Sequence, residues 1–129
     1  MNRSIAAIVF VLASIFHGTA FSKELFDMDA FKALQAQDAV ILVDVYANWC
    51  PTCRKQSRII ESYLEEHPDS GLQVLTVDFD DQKDYVRHFK APRQSTLLIY
   101  KGEEQLWFSV AATSKSIIYE QLDKATGAQ

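Results

Sequence analysis

Apolar and polar positions along this chain switch between two periods, and the switches divide it into elements. Residues 39–46 are a run of β-branched and apolar side chains broken by a single charge, Asp44, which reads as a strand buried on both faces. After it a helix is predicted from Pro51 to about residue 66, with Ile59, Ile60, Tyr63 and Leu64 on one stripe and Arg54, Lys55, Arg58, Glu61 and Glu65 mostly off it. His67-Pro68 ends that helix, because the residue before a proline is pushed out of the α region, and Asp69-Ser70-Gly71 supplies a turn. Alternation over 72–79 (Leu72, Val74, Leu75, Val77, Phe79) predicts a second strand, followed by a short helix at 82–89. Residues 96–100 and 104–110 read as a hairpin turning at Lys101-Gly102-Glu103. Upstream, 23–26 reads as a short edge strand, and Asp27 or Asp29 as the cap of a helix over 29–37. A closing helix over 114–126 has Thr113 or Ser114 as its cap and Ile117, Ile118 and Leu122 as its stripe.

Strand, helix, strand with a crossover of this length implies a parallel pair, so the class is α/β, a central mixed sheet with helices on both faces. Residues 1–22 follow a different pattern: one early positive charge at Arg3, an apolar core of about 12 residues, then small side chains. That is the layout of a secretory signal peptide, too short to span a bilayer, with cleavage expected after Ala20 and Ser22 as the rival site. The alternative is an uncleaved anchor or a buried N-terminal helix. On the first reading residues 1–20 are removed and 21–129 form one domain, placed in the periplasm or otherwise secreted. The net charge of -4 and the lack of any basic run argue against nucleic acid and anionic membranes as partners.

The chain has two cysteines, and they are Cys50 and Cys53. Three residues apart on the first turn of a helix, their Cα atoms lie ~5–6 Å apart, the separation a disulfide requires. A bridge over so short a gap removes little chain entropy, so chemistry explains the pair better than stapling. At the helix start, unpaired N–H groups and the helix dipole favour the Cys50 thiolate as the attacking sulfur. Cys53, one turn in and more buried, would resolve the mixed disulfide. Pro51 suits the first helical position, where its missing N–H is not needed. Two thiols and the scattered His67 and His88 do not match the ligand spacing of structural zinc sites.

The string Asp44-Val45-Tyr46-Ala47-Asn48-Trp49-Cys50-Pro51-Thr52-Cys53 resembles the active-site segment of the thioredoxin family, and the run from Ser95 to Glu103 resembles that family's second motif. The resemblance covers the whole of residues 21–129 and implies the thioredoxin fold and thiol–disulfide exchange with protein thiols or disulfides, with no cofactor beyond the Cys50–Cys53 pair. It also implies that Asp44 moves protons to and from Cys53 as general acid and base, where the residues alone also allow a structural hydrogen-bonding Asp. The family often carries a Lys one strand over from this Asp; the matching position is Thr76, so the carboxylate should protonate more easily. Trp49 becomes a lid that contacts substrate or ordinary packing, with Pro51, Thr52, Gln94 and Ser95 completing the substrate-binding rim. Trp107 is expected to cover the sheet, with an exposed patch as the alternative.

Ser95 stands where thioredoxins carry a cis-proline. Because a cis bond before a non-proline costs ~3–4 kcal/mol, the Gln94–Ser95 bond is expected to be trans. The Ser95 hydroxyl and N–H are able to bond a substrate backbone or the Cys50 sulfur, and the absence of the proline ring leaves room over the sulfurs that could open them to a metal, with Ser95→Pro expected to lower metal uptake and change substrate preference while leaving the fold intact. Thr52 cannot place a positive charge beside Cys50, which favours a reductant or isomerase role and so a membrane-embedded electron donor. The protein is expected to be a monomer. The competing class is a binding module that holds a metal or acts as a chaperone.

Overall fold

The computed structural model describes residues 23–128. The expected signal peptide and cleavage site lie outside them. Nine elements follow in order: β1 (Glu24–Leu25), α1 (Met28–Ala36), β2 (Val40–Tyr46), α2 (Pro51–Glu66), β3 (Gln73–Asp78), α3 (Lys83–His88), β4 (Thr96–Lys101), β5 (Glu104–Val110) and α4 (Lys115–Thr126). The strands form one sheet in the order β1-β3-β2-β4-β5. β1 and β2 run parallel to β3, while β4 is antiparallel to both β2 and β5, so the sheet is mixed.

β2 lies at the centre, and its alternation feeds two cores. Val40 and Leu42, with Leu97 and Ile99 of β4, pack under Ile59, Ile60 and Tyr63 of α2 and Ile118 and Leu122 of α4. Ile41, Val43 and Val45 face the other way, onto Phe31 of α1, Val86 of α3 and Phe89. Buried on both faces, β2 is apolar at every position but Asp44.

The ends of the elements have identifiable causes. The Asp27 carboxylate accepts the Ala30 N–H (2.9 Å), and the Ser114 hydroxyl accepts that of Ile117, capping α1 and α4. Gly127 closes α4 in the left-handed conformation. At the hairpin, Gly102 has φ +56°, and a Cβ there would come within 2.7 Å of the Asp38 carboxylate, so the turn needs glycine. Trp107 is half-buried against the α2/α4 core, as expected of sheet cover, while Leu106, Phe108 and Val110 alternate with it on the more exposed side of edge strand β5.

Candidate active site

The site forms where β2 ends and α2 begins. Asn48 and Trp49 are exposed in the connecting turn, Cys50 caps α2, and Pro51 is its first residue. Cys50 and Cys53 are joined in a disulfide with Cα atoms 5.3 Å apart. The Cys53 N–H donates to the Cys50 sulfur at 3.1 Å, so the sulfur acts as the helix cap. The geometry corrects one expectation about access. Cys50 is 1% exposed and Cys53 0%, so both are enclosed, and what distinguishes Cys50 is its place on the orphan N–H groups of α2.

Around the pair, Trp49 is 57% exposed and its indole N–H donates to the Asp80 carboxylate at 2.9 Å, which fixes the ring beside the disulfide. Pro51 is exposed, and Thr52 and Gln94 are half-buried. The loop before β4 and the Cys53 sulfur meet at one carbonyl of β2. Val45 O accepts the Ser95 N–H at 2.8 Å and lies 4.0 Å from the Cys53 sulfur.

Ser95 itself departs from expectation in all but its peptide bond, which is trans. Its φ is +63°, it is fully buried, and its hydroxyl bonds the Gln94 carbonyl. With its N–H on Val45 O, neither donor faces substrate or the Cys50 sulfur. The Ser95 carbonyl accepts the Ala111 N–H (2.9 Å) and the amide of Gln56 (3.1 Å). Gln56, buried one turn beyond Cys53, also donates to Ala112 O at 2.9 Å, tying α2 to both loops. Its position on the α2 stripe, three residues after Cys53, marks it in the sequence, but its partners come from residues far along the chain. Among the described residues no three His, Cys, Asp or Glu side chains come together as a metal would need, so the competing metal-holding reading gains no support.

Asp44 shares the strand face of Val40 and Leu42, so its carboxyl is buried beneath the helix that carries Cys53. Burial raises its pKa from 3.8 to about 6, against the opposing pull of the Lys23 ammonium. Thr76 is its register partner on β3, as expected, and both Asp44 Oδ1 and Thr76 Oγ1 are buried without a hydrogen-bond partner. The cation, however, is not missing. Lys23, which no pattern in the sequence singles out, supplies the opposing charge from the residue before β1, its ammonium donating to the Ser57 hydroxyl at 2.7 Å.

The thioredoxin family profile matches residues 22–124. The chain belongs to the thioredoxin family. It is 30% identical to a thioredoxin of Porphyra purpurea over 87 residues, 67% of this chain and 80% of that protein. Thioredoxin-1 of Saccharomyces cerevisiae is also 30% identical, over 67% of this chain and 82% of its own. Among solved structures, Trxlp of Edwardsiella tarda superimposes with a TM-score of 0.73 at 37% identity, covering 78% of this chain and 98% of its own. The thioredoxin of Malassezia sympodialis, at 18% identity, shares the fold with a TM-score of 0.69 over 85% of this chain and 98% of its own. This thioredoxin is therefore a thiol–disulfide oxidoreductase whose redox pair is Cys50–Cys53.

Proposed function

We propose that this thioredoxin acts as an exported reductant of protein disulfides. The observation that carries the direction of electron flow is the surroundings of Cys50: one N–H, from Cys53, reaches its sulfur, and the two residues between the cysteines are Pro51 and Thr52, neither a cation. Oxidants of this fold are those whose reduced thiolate is held most strongly, and nothing between these cysteines adds charge to hold it.

In the reaction the Cys50 thiolate attacks a substrate disulfide, forms a mixed disulfide and releases one substrate thiolate. Cys53, its proton taken by Asp44, then attacks the Cys50 sulfur, closing the Cys50–Cys53 disulfide and releasing the second thiolate. The substrate gains two electrons and the pair loses two. Trp49, Pro51, Thr52 and Gln94 form the rim that substrate meets; Ser95 shapes that rim through its backbone. A protein that leaves the cell by way of residues 1–20 works away from cytosolic reductants, so its electrons come from a membrane-embedded donor, and we propose that it works as a monomer.

Equilibration of the Cys50–Cys53 couple against defined dithiol buffers tests the direction. A potential near the ~-270 mV of reducing thioredoxins supports it, and one near the ~-120 mV of strong oxidants overturns it. N-terminal sequencing of the protein from its native host tests export. A chain beginning at Phe21 supports cleavage, and an intact Met1 contradicts it.

A further inference from the structure

Two loops meet next to the redox pair, and both hold a backbone that side chains resist. Ser95, before β4, has φ +63°, and Ala111, after β5, has φ +60°, the left-handed region that residues other than glycine avoid. Such a backbone persists only where its surroundings over-determine it. The chain supplies part of the hold itself, with the Ser95 N–H on Val45 O at 2.8 Å and the Ala111 N–H on Ser95 O at 2.9 Å. The rest comes from one side chain. Gln56 Nε2 donates to Ser95 O at 3.1 Å and to Ala112 O at 2.9 Å, so each of its two amide protons serves one loop. Gln56 is fully buried and sits three residues after Cys53, one turn along the same face of α2. Both groups at its donor end are carbonyls, so turning the amide over would set oxygen against oxygen. The orientation is therefore fixed, and it leaves Oε1 buried without a partner. An apolar side chain of the same length would fill the space without that cost. The amide is explained by the two loops it holds rather than by packing.

We propose that Gln56 is a positioning residue for substrate: by clamping Ser95 O and Ala112 O to the helix that starts at the redox pair, it keeps the two loops in the one arrangement against which a protein chain can lie as Cys50 attacks its disulfide. This rests on the exchange reaction set out above. Gln94, Ala111 and Ala112 are half-buried, so their outer side is open to a partner. Relaxation of either positive φ would move that surface. Without the amide the left-handed residues are free to relax, and only a fraction of the molecules holds both loops in place at any moment. The apparent affinity for substrate then falls in proportion to that fraction, while a substrate already bound reacts as before. The amide is neutral and its donors face the loops, so the thiols themselves are not its targets.

Two readouts on the full domain test this, one of which needs no turnover. The first is amide hydrogen exchange in the oxidised protein, comparing wild type with Gln56→Met, which keeps the length of the side chain and loses its donors. Exchange at Ser95 and Ala111 should quicken by roughly tenfold or more, with the amides of β2 as in wild type. The second is insulin reduction over a series of insulin concentrations. KM should rise roughly fivefold or more, with kcat within about twofold of wild type. Gln56→Asn, whose shorter amide cannot span both carbonyls, should do the same, and it decides the matter if Gln56→Met does not fold. A variant that melts earlier but keeps the wild-type KM would mean that Gln56 only packs α2 against the sheet, and would overturn the proposal. So would a fall in kcat at unchanged KM, which would place the effect on the sulfurs. Unchanged protection of Ser95 and Ala111 would show that the loops hold themselves, and would overturn it as well. A folded wild type that does not reduce insulin would instead sink the exchange reading, while hydrogen exchange alone still decides whether Gln56 holds the loops.

Discussion

At the scale of single residues, the site is organised by what burial does to charge. Asp44 has its folded pKa raised above its unfolded value, so the folded state binds the proton more tightly. Asp44 thus weakens the fold progressively as pH rises from about 4 through about 6, by roughly 1.4 kcal/mol for each pH unit between those values. Asp44→Asn should raise the unfolding free energy near pH 7 by roughly 2–3 kcal/mol, with the gain disappearing below about pH 4. Denaturant unfolding at the two pH values checks this, and a gain of equal size at both would mean that ionisation is not its source. Cys50 follows a different logic, since its neighbour Cys53 is as enclosed as it is. In the reduced protein, iodoacetamide should label Cys50 before Cys53 near neutral pH, because Cys50 caps the helix and receives an N–H. Mass mapping that finds Cys53 labelled first would contradict the assignment of the attacking sulfur. Asp44, Cys50 and Cys53 were legible in the sequence because each breaks a local pattern. Lys23 was not, because nothing local links a lysine at residue 23 to a carboxylate at residue 44 until the pairing of β1 with β3 is known.

At the scale of elements, the loop that leads into β4 shows what replaces a proline. Ser95 and Ala111 both adopt positive φ, 63° and 60°, and the Ala111 N–H meets the Ser95 carbonyl. The sequence supports a trans bond here, but it could not reveal the left-handed backbone, which is imposed by the bonds to Val45, Ala111 and Gln56. This backbone argues against the expectation that Ser95→Pro leaves the fold intact. Proline locks φ near -65° and lacks the N–H that bonds Val45, so the substitution should cost about 3 kcal/mol or more. Ser95→Gly, which adopts the observed φ freely, should stay within about 1 kcal/mol of wild type. Thermal unfolding of the two variants separates them, and equal stabilities would mean that the loop rebuilds around the proline. Gln56→Leu removes the amide that ties α2 to residues 95 and 112 and leaves Ala112 O without that donor, at a cost of roughly 1–3 kcal/mol in the same measurement. The elements themselves were legible to within a residue or two. Asp27, Pro51, Pro68 and Ser114 act at their ends through local chemistry, which a sequence displays directly.

At the scale of the whole molecule, the fold divides its work between a rigid centre and a site at its rim. β2 reads as apolar at every position but Asp44 because both its faces are covered, and this made the α/β architecture recognisable before any contact was known. Strand order was less legible, since it depends on long-range pairing: β1 is two residues long and joins the far edge of the sheet beside β3. That placement carries Lys23, at the entry to the described domain, to the Ser57 hydroxyl and the Tyr46 ring. The central claim is that the Cys50–Cys53 pair exchanges disulfides with protein substrates, Cys50 attacking first. Dithiothreitol-driven reduction of insulin, followed by turbidity in wild type and Cys50→Ser, tests it most directly. The account predicts sustained turnover in wild type and none above the dithiothreitol background in Cys50→Ser; a Cys50→Ser protein as active as wild type, or a folded wild type without turnover, would contradict it.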